Sequence, residues 1–222
     1  MLKLPAIVVN CKAYENCVGE GAIRIAEACE KVSRLMKTTI AVAVETADIY
    51  HVRMASRLPV FAQHVDPDEP GAHTGAVLPE AVRKAGAAGT LLNHSEKKLT
   101  IAVLKKAIAR ARQAGLMTLV CAATPAEAKR IAALKPDMIA IEPPELIGGD
   151  VSVSAAKPGV ITATTKAIKD IPILCGAGIK TRQDVAKAMQ LGAKGILVAS
   201  GITKARNPEQ VLKDFASAMR KA

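Results

Sequence analysis

The sequence predicts an α/β fold, a (β/α)8 barrel with shortened helices, and three observations carry that expectation. Short β-branched apolar runs alternate with segments of helical periodicity eight times along the chain. Strands separated by helices pair in parallel through right-handed crossovers. The runs are nearly continuous in apolar residues rather than apolar at every second one, as in a sheet covered on both faces. The length of 222 residues leaves about 28 per unit against about 31 in a typical barrel, so several helices must be short. An open doubly wound sheet is the alternative. No Pro-, Gly- or Ser-rich linker divides the chain, so residues 1–222 are expected to form a single domain.

Each unit has its own signal. The first strand is Ala6–Asn10, and Glu20–Met36 follows with helical spacing and a basic end that suits the helix dipole. The second strand is Thr39–Val44, with a helix over 47–57. The third is 60–63, and Pro79 opens a helix over 79–85 from its first position. The fourth strand, 89–93, leads to a helix over 99–114, and the fifth, Met117–Ala122, to one over 125–134. The sixth strand, 138–142, leads through a long loop to a helix over 160–169. The seventh, Ile173–Cys175, precedes a helix over 182–191, and the eighth, 195–199, one over 208–220.

Composition narrows the function. The chain has 31 Lys and Arg against 20 Asp and Glu, a net charge of +11. Half of it is hydrophobic and 23% is charged, a globular balance rather than a disordered one. No apolar run approaches the roughly 18 residues of a membrane-spanning helix, and residues 1–9 are too short for a secretory core. A cytoplasmic protein with no membrane partner is expected. Asn93-His94-Ser95 matches a glycosylation acceptor, which matters only in a secreted protein. Cys11, Cys17, Cys29, Cys121 and Cys175 are odd in number and form no C-x-x-C pair. They are read as reduced, buried thiols, with neither a disulfide framework nor a metal site. The basic surplus suits a polyanion or an anionic metabolite. Nucleic acid is not expected, because the cations are spread through helical segments and the chain has only two Tyr, two Phe and no Trp to stack on bases.

In a barrel of this kind the chemistry sits where strands end. The polar residues there are Asn10 and Lys12, Glu45, Gln63 and His64, then Asn93, His94 and Glu96, Thr124 and Glu142. Gly176-Ala177-Gly178 follows the seventh strand and Ala199-Ser200-Gly201 the eighth. Small residues there let backbone N–H groups approach a phosphate closely. Gly176-x-Gly178 lacks the third glycine of a dinucleotide fingerprint, so no nucleotide cofactor is expected. His51, His64 and His73 are read as surface or packing residues.

Val9-Asn10-Cys11-Lys12, Asn93-His94-Ser95-Glu96 and Ile141-Glu142-Pro143 occur in that order at the ends of strands one, four and six. They resemble the signatures of the triosephosphate isomerase family, whose fold gives the TIM barrel its name, and the resemblance covers essentially the whole chain. The short length, Gln63-His64-Val65-Asp66-Pro67 and the stretch Pro143-Pro144-Glu145-Leu146-Ile147-Gly148-Gly149 resemble its archaeal branch. The resemblance implies interconversion of dihydroxyacetone phosphate and D-glyceraldehyde 3-phosphate through an enediolate, in glycolysis and gluconeogenesis, without cofactor or metal. It implies Glu142 as base, His94 as electrophile, Lys12 as the positive charge, Asn10 as a holder of substrate oxygens and Glu96 as the partner of Lys12. The phosphate of a small phosphorylated substrate would meet N–H groups near Ile147, Gly178, Ala199 and Ser200. Pro143, Pro144, Glu145, Leu146, Gly148 and Gly149 would form a lid.

Residues 65–78 carry neither helical nor strand pattern, and His73-Thr74-Gly75 resembles the family's loop that reaches a neighbouring subunit's active site. At least a homodimer is implied, and by the archaeal likeness a homotetramer. There are departures from the commoner members. Cys11 stands where many carry Trp, Glu145 occupies a lid without Trp, Ala199-Ser200 replaces Gly-Gly, and Lys97-Lys98 replaces Arg-Arg. Other phosphate-binding barrels remain open. An aldolase, for one, needs a Schiff-base lysine within a strand, and strands six and seven contain none.

Overall fold

The structure is a computed structural model that describes residues 2–146 and 152–221. Eight parallel strands close into a barrel in sequence order. They are β1 (Ala6–Asn10), β2 (Thr39–Val44), β3 (Val60–Ala62), β4 (Gly89–Leu92), β5 (Met117–Ala122), β6 (Met138–Ile141), β7 (Ile173–Cys175) and β8 (Gly195–Val198). β1 closes the ring, pairing with β2 from Ala6↔Thr39 to Asn10↔Ala43 and with β8 from Ala6↔Gly195 to Val9↔Val198.

The strand pleat explains why these runs are almost wholly apolar. One set of side chains fills the barrel: Ala6, Val8, Ala41, Ala43, Phe61, Leu91, Leu119 and their neighbours. The alternate set, Ile7, Val9, Ile40, Val42, Val60, Val120 and Ile139 among them, packs outward against the helices. Period-two alternation is therefore invisible, because both faces are dry. Phe61 supplies the bulk that the inner alanines lack, and Gly89 makes room for it. A Cβ at Gly89 would stand 2.5 Å from Phe61 Cε1 and 2.7 Å from the Met117 carbonyl oxygen.

The helices are α1 (Glu20–Met36), α2 (Ile49–Ala55), α3 (Pro79–Lys84), α4 (Ile101–Gln113), α5 (Pro125–Ala132), α6 (Val153–Ala156), α7 (Pro158–Ala167), α8 (Arg182–Gln190), α9 (Ser200–Thr203) and α10 (Pro208–Lys221). α2 and α3 have seven and six residues, which makes the barrel as compact as its length requires. α1 buries Ala22, Ile25, Ala26, Cys29 and Val32 on one face. Its first turn is capped from outside, by the Asp48 carboxylate accepting the Gly19 N–H at 3.1 Å from each oxygen. Thr124 caps α5 and Thr181 caps α8, the latter reciprocally with Asp184.

Several expected bounds shift. The helix over 47–57 is a 3-10 turn, Thr46–Asp48, followed by α2, which ends where Ser56 turns extended. The helix over 160–169 is α7, preceded by α6 rather than by a plain loop. Ser152 caps α6 and Pro158 starts α7 at a position that needs no amide. Strands three, four, six and eight each end one residue earlier, which leaves Gln63, Asn93, Glu142 and Ala199 just beyond the sheet. The helices over 79–85, 99–114, 125–134 and 182–191 are trimmed at their ends, and α10 runs one residue further than 208–220. α9 and the 3-10 turn Glu15–Cys17 carry no sequence signal, since a single turn has no period to read. Among the described residues no helix is long and apolar enough to cross a membrane. All five cysteines are free and buried.

Candidate active site

The side chains at the carboxyl ends of the strands converge on a cleft of about 440 Å³, lined by Asn10, Lys12, His94 and Glu142 on one side and by residues 177–179 and 197–201 on the other. Asn10 ends β1, is buried, and accepts the Lys12 N–H on Oδ1 at 3.0 Å. Lys12 has a φ of +51, a left-handed conformation that costs a non-glycine residue about 1–3 kcal/mol. Gln63 Nε2 donates to the Lys12 carbonyl at 3.0 Å and helps to hold that backbone. The strained turn aims the Lys12 ammonium into the cleft, where Nζ lies 2.6 Å from Glu96 Oε1.

His94 follows Asn93, which leaves β4 with a φ of +58. The Glu96 backbone N–H donates to His94 Nδ1 at 3.2 Å. An amide donor on Nδ1 requires a lone pair there, so the ring proton is on Nε2. That nitrogen lies 3.8 Å from Glu142 Oε2, and both side chains are more than 90% buried.

Glu142 is fixed by its N–H to the Ala122 carbonyl at 2.8 Å. Its carboxylate lies over Gly176, where a Cβ would come within 2.4 Å of Glu142 Cγ and 2.5 Å of Oε1. Gly176 is therefore a requirement of the carboxylate, not of the turn. Glu142 Oε2 has no hydrogen-bond partner among the described residues. Burial pushes the Glu142 carboxyl above the ordinary carboxylate range, and His94, the Cys121 thiol and Lys12 oppose that only in part. A dry, under-solvated carboxylate beside a neutral N–H donor is equipped to take a proton from carbon and return it.

Across the cleft, Ala177 and Gly178 are both left-handed, with φ of +70 and +68. α9 meets this loop closely, since a Cβ at Gly201 would stand 2.4 Å from the Ile179 carbonyl oxygen. Ala199 caps α9 and Ser200 opens it. First-turn amides have no intrahelical acceptor and present N–H groups to whatever lies beyond. The arrangement suits a small anion.

The structure thus brings together Asn10, Lys12, His94, Glu96, Glu142, Gly178, Ala199 and Ser200. Ile147, Gly148 and Gly149 lie outside the described residues. Pro143 is buried, Pro144–Leu146 form a 3-10 turn, and Glu145 ion-pairs with Lys157. Thr74 and Gly75 are exposed and line neither this cleft nor its neighbour. That neighbour, of about 770 Å³, shares Asn10, Lys12 and His94 and adds Glu45, Gln63, His64, Val77, Glu96 and Lys97. His64 is buried with Nε2 2.9 Å from Asp66 Oδ1, as a packing residue would be. Thr124 serves as a helix cap. Tyr14 and Ile179, both lining the cleft, were not expected, nor was Gly176 under Glu142. For Gly176 the position directly after a strand was the available signal. Among the described residues no group of three or more His, Cys, Asp or Glu side chains is placed to hold a metal ion.

The chain matches the profile of the family described as triosephosphate isomerase over residues 5–219. It is 43% identical to the triosephosphate isomerase of Methanocaldococcus jannaschii, over 94% of this chain and 97% of that one. It is 46% identical to that of Sulfurisphaera tokodaii, over 96% and 95% respectively. With that of Sulfolobus acidocaldarius it shares 45% identity over 100% of this chain and 97% of the relative. The crystal structure of triosephosphate isomerase from Bartonella henselae superposes with a TM-score of 0.75 at 20% identity, over 97% of this chain and 99% of that one, a likeness of fold.

Proposed function

The chain belongs to the triosephosphate isomerase family, and from that premise we propose how its own residues interconvert dihydroxyacetone phosphate and D-glyceraldehyde 3-phosphate. Glu142 removes a proton from C1 of dihydroxyacetone phosphate and returns it to C2, passing through an enediolate. His94 donates Nε2–H to the carbonyl oxygen as negative charge gathers there. Lys12 faces the same oxygen and the phosphate, and Glu96 orients it. Asn10 holds the substrate oxygens. The phosphate lies against the amides of Gly178, Ala199 and Ser200, with Ile147 as the lid's contribution. No metal or cofactor takes part. The observation that carries the reading is the juxtaposition of His94 Nε2 and Glu142 Oε2 at 3.8 Å, with the Lys12 ammonium in the same cleft.

A coupled assay on the purified protein tests it, with His94→Gln alongside. Glutamine keeps a donor but not the imidazole geometry, so kcat should fall about a hundredfold. Full activity in the variant would remove His94 from the mechanism. No activity in the parent would remove the mechanism altogether.

We propose further that residues 1–222 form one domain, that it works in the cytoplasm in glycolysis and gluconeogenesis, and that it is a homo-oligomer, a dimer at least and by the archaeal likeness a tetramer. The loop over 65–78 supports the oligomer. Its base is clasped by Asp66, whose N–H donates to the Val77 carbonyl at 2.9 Å and whose Oδ2 accepts the Val77 N–H at 2.8 Å. The clasp presents Thr74 and Gly75 outward, and the 770 Å³ cleft beside Lys12 is a receptor of suitable place for a second copy's loop. Light scattering should give a mass at least twice 23.2 kDa. A monomer at micromolar concentration would overturn this.

A further inference from the structure

We propose that Glu127 is a positioning residue for the isomerisation, anchoring both ends of the loop that presents His94 and Glu96; the inference rests on the roles proposed above for those two side chains. The loop leaves β4 at Asn93. Its Nδ2 donates to the Cys121 carbonyl at 2.8 Å and to Glu127 Oε1 at 3.0 Å, and its Oδ1 accepts the Leu99 N–H at 3.0 Å. At the other end of the loop, Lys98 Nζ donates to the same Glu127 Oε1 at 2.5 Å. Glu127 Oε2 accepts the Ala123 N–H at 2.7 Å, and its own N–H donates to Thr124 Oγ1 at 3.1 Å. One carboxylate in the first turn of α5 therefore ties the start of the loop, the end of the loop and the end of β5.

The anchor is ionised. Burial alone would push the Glu127 carboxyl up, but Lys98, the Ala123 amide and Asn93 outweigh it and hold the group below the ordinary carboxylate range. What it fixes is the path of residues 94–97. The Nε2–H form of His94 depends on that path, because the Glu96 amide must reach Nδ1. The competing reading is that Glu127 only caps α5. Such a cap changes stability and leaves the imidazole untouched.

Two variants of the full chain separate these. Glu127→Gln keeps the shape and removes the charge. Asn93→Gly keeps the left-handed backbone and removes the tether from the other side, so the test stands even if the first variant fails to fold. In each, kcat should fall about tenfold with KM within about twofold of the parent, as expected for a displaced rather than a missing catalytic group. The ¹⁵N spectrum of the imidazoles should show His94 divided between tautomers. The double variant should lose less than the product of the two single losses, since the Asn93 Nδ2–Glu127 Oε1 bond is common to both. Parental kcat with a parental His94 spectrum overturns the inference, as does a lowered Tm with unchanged kcat. If His94→Gln is fully active, the site reading itself has failed. If His94→Gln is impaired while Glu127→Gln matches the parent, only the positioning role has failed.

Discussion

Replacing Glu142 with Gln is expected to lower kcat about ten-thousand-fold while the barrel folds as before, because an amide of the same shape cannot accept the substrate proton. The expectation has a second part. In the fold the Glu142 carboxyl is held above its ordinary value of 4.5, with burial as the largest cause. A raised folded pKa favours the native state fully only below the unfolded value, and that contribution is lost as pH rises through the folded value. Above that folded value the parent carries a buried charge with one oxygen unpaired, and the variant does not. The Tm of Glu142→Gln minus that of the parent should increase as pH rises above about 4.5. The acid limb of kcat/KM in the parent should lie above the ordinary carboxylate range for the same reason. A constant Tm difference across pH, or a variant with more than about a hundredth of parental kcat, contradicts the assignment of the base.

Lys12→Met should be the next most damaging change, lowering kcat/KM about a thousandfold with little change in Tm. The two halves come from different parts of the geometry. The ammonium is fixed charge in place before the enediolate forms, and methionine fills the same volume without it. The ion pair to Glu96 should add little to stability: the Lys12 side chain is 10% exposed, but the Glu96 side chain is 58% exposed, so solvent screens the pair towards the surface range of about 1 kcal/mol or less. Removing the lysine leaves Glu96 solvated rather than stranded. Thermal melts beside steady-state rates on both triose phosphates test this. A variant that melts far lower would make Lys12 a structural residue. A variant within about tenfold of parental kcat/KM would leave the intermediate's charge to His94 and the amides alone.

What was legible in the sequence follows from what each residue touches. The strands could be read because both faces are buried, so that Thr39–Val44 and Met117–Ala122 appear as nearly continuous apolar runs with their observed ends. α1 could be read to its last residue because its apolar stripe is regular and a left-handed Lys37 stops it. α7 could be read only at 160–169, with both bounds displaced from Pro158–Ala167, since Val160, Ile161, Thr162, Thr164 and Thr165 are β-branched and blur helical periodicity. At the site, Asn10, Lys12, His94 and Glu142 stand out because polar residues directly follow apolar strands. Gln63, Asn93, Gly176 and Glu127 act across the ring, on the carbonyl, carboxylate or loop of a different unit. Nothing within a single unit records such a neighbour, and only closure of the barrel supplies it.

The burial of all five thiols gives the molecule a built-in clock. They are spread over the loop after β1, the 3-10 turn behind it, α1, β5 and β7. Each is silent to an external alkylating reagent until its own part of the barrel opens. The order in which the five become labelled is then the order in which the staves of the barrel loosen, recorded by the native chain without an added probe.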